Sequence, residues 1–249
     1  MRTDPKALAL AILAAGLTAG TAHAAPTGTD AMANMPMPGL YHMFTLETDL
    51  SRTNGLDTGT WDLEGWAGGD TNRLWLQSEG TITDGKTEAA ELWALYSRHV
   101  TPYWDAQVGL RTDAAPDLPG GQAHTFLAAG VTGLAPYFVA TQAHLFLRDD
   151  GALSGRLRYE TDWLITQRLI LKPRLELNVS DRNDAIEGLG SGLTDASIDL
   201  QTRYEIRREF APYVDLSYRQ KFGQTADYAR LRDEKPTETR LSFGIRWMF

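Results

Sequence analysis

The chain has 249 residues, 43% of them hydrophobic and 22% charged, and no cysteine, which excludes disulfide scaffolds, cysteine-based zinc sites and thiol catalysis. Its formal net charge of −8 supplies no general basic face, so nucleic acid is not an expected partner. Mean hydropathy is −0.31 and no stretch beyond the N-terminus approaches the about 18 apolar residues of a membrane helix, so a polytopic helical protein is excluded while insertion by strands is not.

Arg2 and Lys6 precede an apolar run over residues 7–17, and Ala22-His23-Ala24 supplies a small-x-small cleavage site. Residues 1–24 are therefore expected to be a cleaved signal peptide of an exported protein. Residues 25–40 are expected to form a short, flexible, disordered Met-rich segment on the periplasmic side. Pro36 and Pro38 forbid a helix there and favour an extended tether.

Residues 41–249 form a ladder of alternating segments. Leu241, Phe243, Ile245, Trp247 and Phe249 share one parity, and Arg240, Ser242, Gly244 and Arg246 share the other. Leu153, Leu157, Tyr159 and Trp163 stand likewise against Arg156, Arg158, Glu160 and Asp162, and Leu171, Leu175, Leu177 and Val179 against Arg174, Glu176 and Asn178. About twelve such runs are predicted, near residues 41–50, 60–67, 73–81, 88–99, 103–113, 123–131, 137–148, 152–163, 168–179, 194–206, 212–222 and 239–249, each close to the roughly 9–11 residues of an oblique membrane strand.

Short connections (Thr101-Pro102, Leu134-Ala135-Pro136, Thr166-Gln167 and Arg208-Glu209-Phe210-Ala211) largely alternate with long ones (Ser51–Thr58, Ala114–Gln122, Ser180–Leu193 and Gly223–Glu238). The predicted fold is all-β: a transmembrane antiparallel up-and-down β-barrel of about twelve strands in the outer membrane, its apolar parity on lipid and its charged parity in the lumen. A soluble β-sandwich also has short alternating strands. It does not explain the evenly mixed charges of the polar parity, nor the placement of Trp61, Trp104, Tyr137, Tyr159, Trp163, Tyr204 and Trp247 toward strand ends, where a lipid interface would hold them. Phe249, closing an alternating strand, resembles the terminal signal read by the barrel insertion machinery.

One segment suggests metal chemistry. Met32, Met35, Met37 and Met43 lie within twelve residues, with His42 beside the last. Thioethers are soft, neutral ligands suited to Cu(I), so the segment points to copper ion. A plain linker that happens to contain methionine reads the same way, and the residues alone leave both open. His144 falls on the lumenal parity and His99 closes a strand beside the Pro102 turn, making them candidate copper ligands inside the barrel and at its periplasmic mouth. An imidazole in either place also serves as a hydrogen-bonded spacer. Lumenal carboxylates and arginines are expected to pair across strands, so a wide open pore is not expected. Ser97-Arg98-His99, or Asp149-Asp150 with His144, forms no convergent catalytic set, and Gly190-Ser191-Gly192 lacks a strand-to-helix elbow and reads as a loop; no enzyme activity is expected.

The stretches Leu95-Tyr-Ser-Arg-His-Val-Thr-Pro-Tyr-Trp-Asp-Ala-Gln-Val-Gly-Leu-Arg-Thr-Asp113, Gly133-Leu-Ala-Pro-Tyr-Phe-Val-Ala-Thr-Gln-Ala-His-Leu-Phe146, Thr166-Gln-Arg-Leu-Ile-Leu-Lys-Pro-Arg-Leu-Glu-Leu-Asn178 and Tyr204-Glu-Ile-Arg-Arg-Glu-Phe-Ala-Pro-Tyr-Val214 resemble the copper resistance protein B family of outer-membrane proteins. The likeness runs from about Gly39 to Phe249. It implies an outer-membrane barrel of copper tolerance, with outer-membrane lipid and copper ions as partners and a periplasmic copper oxidase or copper carrier as a further candidate. It also implies a Met- and His-rich region before the barrel, here reduced to residues 25–43, which argues against high-capacity sequestration. The alternative function is a general porin-like channel without metal specificity.

Overall fold

The computed structural model describes residues 40–53, 56–114 and 123–249. The expected signal peptide over residues 1–24, Met32, Met35, Met37 and nearly all of the Ala114–Gln122 loop lie outside the described residues. The described strands are β1 (Tyr41–Thr53), β2 (Leu56–Gly68), β3 (Asn72–Thr83), β4 (Lys86–Thr101), β5 (Trp104–Ala114), β6 (Ala123–Ala135), β7 (Val139–Arg148), β8 (Leu153–Glu160), β9 (Trp163–Leu164), β10 (Leu169–Ser180), β11 (Gly192–Tyr204), β12 (Phe210–Lys221) and β13 (Thr237–Met248). The two residues of β9 continue β8 along the same edge of β10, so thirteen strands occupy twelve places. Each strand pairs antiparallel with its neighbours, and β13 returns to β1 with Thr45 opposite Met248 and Ser51 opposite Ser242. That last pairing leaves no open edge, the condition for placing a sheet in hydrocarbon, where an unpaired N–H or C=O costs several kcal/mol.

Burial is inverted relative to a soluble protein. Leu110 and Leu127 are 54% and 51% exposed, whereas Arg158 and Glu176 are 5% and 8% exposed. The two-residue period explains it: over most of the wall the apolar parity faces out and the ionised parity faces in. One inward patch is apolar, with Trp93, Leu95, Phe126, Ala128 and Phe146 packed together and Trp75 against them. Trp93 meets Phe146 edge to face with centroids 5.0 Å apart, and the Arg111 guanidinium lies 4.6 Å from the Phe146 ring. Such cation–π contacts contribute on the order of 0.5–2 kcal/mol.

The rim that carries Tyr41 and Phe249, called the near rim, has short connections, including the Pro136–Phe138 turn and residues 102–103. The exposed girdle aromatics Tyr137, Trp163, Tyr204 and Trp247 all lie at this rim. The far rim carries the longer segments over residues 181–191 and 222–236. Two expectations are corrected there. Ser51–Thr58 is not a long loop, because β1 and β2 stay in register out to Thr53 opposite Leu56. The expected Gly223–Glu238 loop contains helix α1 (Gly223–Leu231), which buries Thr225, Ala226 and Ala229. Small side chains three apart let that helix lie close against its neighbours.

Candidate functional site

The lumen owes its character to strand register. Glu47 pairs with Asp62, Asp62 with Glu79, Glu79 with Glu91 and Glu91 with Asp113, so five neighbouring strands place five carboxylates in one inward row. Directly opposed like charges destabilise a sheet, so this row requires cations. Arg111 on β5 supplies one from within the row, bonding Glu91 at 3.0 Å and Asp113 at 2.6 Å, and the others come mainly from across the lumen, on β8 and β10. Arg158 donates to Glu79 Oε1 at 2.8 Å, and Arg156 grips Glu91 with two bonds of 3.0 and 3.1 Å. Arg174 approaches Asp62 at 3.9 Å, while Gln142 on β7 donates to Glu64 on β2 at 3.1 Å. In the twelve-place ring β8 and β3 are five places apart, as are β7 and β2, so these bonds span nearly the full lumen. A wide pore is absent from the described residues. What remains is a cavity of about 630 Å³ between this waist and the far rim, lined by both charge rows and by Asp184, Glu187 and Leu189.

At the far rim, Arg148 at the end of β7 is the centre of a clasp. It bonds Asp150 at 2.9 and 2.7 Å, Asp184 at 2.9 Å and Glu187 at 2.7 Å, drawing the 181–191 segment inward. His124 Nε2 adds a 2.9 Å contact to Glu187. The hydrogen bond from Arg148, with one from the Ala152 N–H, holds the Asp150 carboxyl well below the usual range. Burial pushes Asp184 up, but hydrogen bonds from Arg148 and from the N–H groups of Glu187 and Ile186 outweigh it, so its carboxyl is also lowered. On the other side of the segment, Gly190 N–H donates to Thr225 Oγ1 of α1 at 2.8 Å, and Arg232 donates to the Ala185 and Ile186 carbonyls at 2.9 Å each.

The candidate copper ligands are distributed along the barrel. His42 and Met43 are consecutive in β1, so their side chains leave opposite faces: Met43 has the lumenal parity, opposite Trp66, and His42 the outward one. His99 is at the near mouth, beside a register shift between His99 and Thr101 that turns the end of β4. Its Nδ1 lies 2.7 Å from Asp105 Oδ1, and a carboxylate only accepts, so Nδ1 carries a proton and, in the neutral ring, the lone pair is on Nε2. Asp105 is also braced by Ser97 at 3.4 Å and Arg73 at 3.5 Å. His144 is inward, as expected, and 6% exposed, with Nε2 bound to Gln107 Oε1 at 2.8 Å. Gly130 stands between Gln107 and His144 in register, and a Cβ there would lie 2.6 Å from the imidazole, so glycine permits the reach. Gln107 continues to Ser97 at 3.4 Å, which links His144 to His99 through a file of polar side chains. The structure thus connects the two histidines indirectly, and no three His, Asp or Glu side chains among the described residues form a metal-ligand group.

Strand parity alone identified the carboxylates as lumenal. It could not show that they form a row, because that depends on register between strands far apart in sequence. The far-rim clasp and α1 had no such periodic signal.

The family described as copper resistance protein B precursor matches residues 41–249. Copper resistance protein B of Escherichia coli is 40% identical over 82% of this chain and 67% of its own length. A copper resistance protein B homolog of Pseudomonas syringae pv. tomato is 44% identical over 76% of this chain and 63% of its own length. The chain thus spans about two thirds of these relatives. Among solved structures, the NanC porin superposes with a TM-score of 0.55 at 9% identity, covering 82% of this chain and 98% of the porin. The KdgM porin gives 0.50 at 10% identity, covering 84% and 99%. These likenesses show the porin-like barrel fold, and the sequence matches show the family: the chain belongs to the copper resistance protein B family.

Proposed function

We propose that this protein binds copper ions and holds or moves them at the outer membrane, as a non-enzymatic barrel with its N-terminal segment in the periplasm. The observation that carries the reading is the grouping of Met32, Met35, Met37 and Met43 in a chain of the copper resistance protein B family. Thioethers bind Cu(I) without losing a proton, so copper affinity from this set is insensitive to pH above the range where imidazole is protonated. His42, His99 and His144 are the proposed nitrogen ligands. His99 is the best prepared of them, since Asp105 fixes its tautomer and leaves Nε2 free at the mouth. His144 offers only Nδ1 while Gln107 holds Nε2. A periplasmic copper oxidase or copper carrier is the proposed protein partner.

A bicinchoninate competition titration on the refolded full chain tests the reading. Replacing Met32, Met35, Met37 and Met43 with Leu is expected to abolish stoichiometric Cu(I) binding while the barrel retains heat-dependent gel mobility. Undiminished binding would overturn the proposed ligand set.

A further inference from the structure

The charged waist has a second arrangement already built into it. Arg156 and Arg158 each have two sets of partners: one across the lumen, the other on their own wall. Across the lumen they hold Glu91 and Glu79. On their own wall, Arg158 bonds Glu176 Oε2 through Nε at 2.9 Å and Nη2 at 2.7 Å, while Arg156 donates Nε to Asn178 at 3.1 Å and lies 3.6 Å from Glu176. Glu176 and Asn178 are on β10, and in register Glu176 faces Arg158 and Asn178 faces Arg156.

A buried ion that loses its only partner is strongly destabilised. These two guanidiniums have no such obstacle, because letting go of the far wall leaves each with an acceptor on the near one. What the release exposes is the carboxylate row. Glu79 loses Arg158, Glu91 keeps Arg111 at 3.0 Å, and Asp62 between Glu47 and Glu79 already has one buried oxygen without a hydrogen-bond partner. A small hydrated cation can replace the departing guanidiniums there, whereas an anion meets the acidic row on one wall. Rings of acid make pores cation-selective in the same way.

We infer that Arg156 and Arg158 are the gate of the lumen: side-chain bars that stay bonded to Glu176 and Asn178 on their own wall while they release Glu79 and Glu91 on the other, and that admit small cations by exchange at the carboxylate row. No backbone movement is needed, since both partner sets are in place around one arginine pair. The inference rests on the closed barrel and not on the copper reading, and potassium chloride suffices to test it.

The experiment is single-channel recording in planar bilayers, with reversal potentials measured in a KCl gradient, on the full chain and its variants. Heat-modifiable gel mobility checks that each variant is folded. Wild-type conductance is expected to be small. R156Q combined with R158Q removes the bars and is expected to raise conductance several-fold with cation selectivity. E79Q combined with E91Q unties the same bars but leaves their charge, so conductance rises and selectivity shifts toward anions. Conductance unchanged in both double variants would show that these bonds do not close the lumen. An anion-selective R156Q/R158Q channel would show that the carboxylate row is not the path.

Discussion

Tyr213 lies across Gly244 on the inner wall and hydrogen-bonds Asp49 Oδ2 at 3.4 Å. A Cβ at position 244 would stand 2.3 Å from the Tyr213 Cζ and 2.6 Å from the Thr48 carbonyl, so the ring reaches the carboxylate only because residue 244 lacks a side chain. Gly244→Val is expected to displace the ring and destabilise the barrel by about 1–3 kcal/mol, the usual range for overpacking. Guanidinium unfolding in detergent micelles measures it, and an unchanged midpoint would refute the contact. At this scale the sequence was legible wherever one parity decides. His144, Glu79 and Arg158 all face inward as alternation requires. It was silent on partners such as Gln107 for His144, since that bond crosses an intervening strand and depends on Gly130.

At the scale of elements, the far rim differs most from the loops expected there. Arg148, Asp150, Asp184 and Glu187 draw the 181–191 segment over the cavity, and α1 backs it through Thr225 and Arg232. Asp150 and Asp184 have carboxyls depressed in the folded state, so the unfolded segment binds protons more readily than the folded one. Their stabilisation is therefore complete above the ordinary carboxylate value of about 4 and declines only as pH falls below it, toward the lowered values. Pepsin should leave residues 181–191 intact near pH 4 and cleave them as the pH is lowered further. Arg148→Ala should allow cleavage already at the higher pH. Cleavage of the parent protein beginning above the ordinary carboxylate range would contradict the clasp. This device was hidden in the sequence because its members come from three separate segments and follow no period. The helix was hidden too: Gln224-Thr-Ala-Asp-Tyr-Ala-Arg-Leu231 is good helix material, but its length falls within the range of a loop.

For the whole molecule, one repeated choice of side chain accounts for the architecture. Apolar residues on alternate positions leave most ionised neighbours facing inward, closure between β13 and β1 removes the edge, and the enclosed charges then tie opposite walls together. The fold was legible because this period of two persists through most of the spanning strands, β4 and β6 with their inward apolar patch being departures. The tied waist was only partly so, since composition announces mixed charge while register decides which charges meet. The family places such a barrel in copper resistance, and the methionine group is the proposed soft-metal ligand set, on chemical grounds. Copper tolerance of a deletion strain, complemented with either the parent gene or the Met32, Met35, Met37 and Met43 to Leu variant, tests the copper reading in the cell. The parent is expected to restore growth across a copper series and the variant is not, although both reach the membrane in equal amounts; full restoration by the variant would contradict a role for these methionines in copper handling.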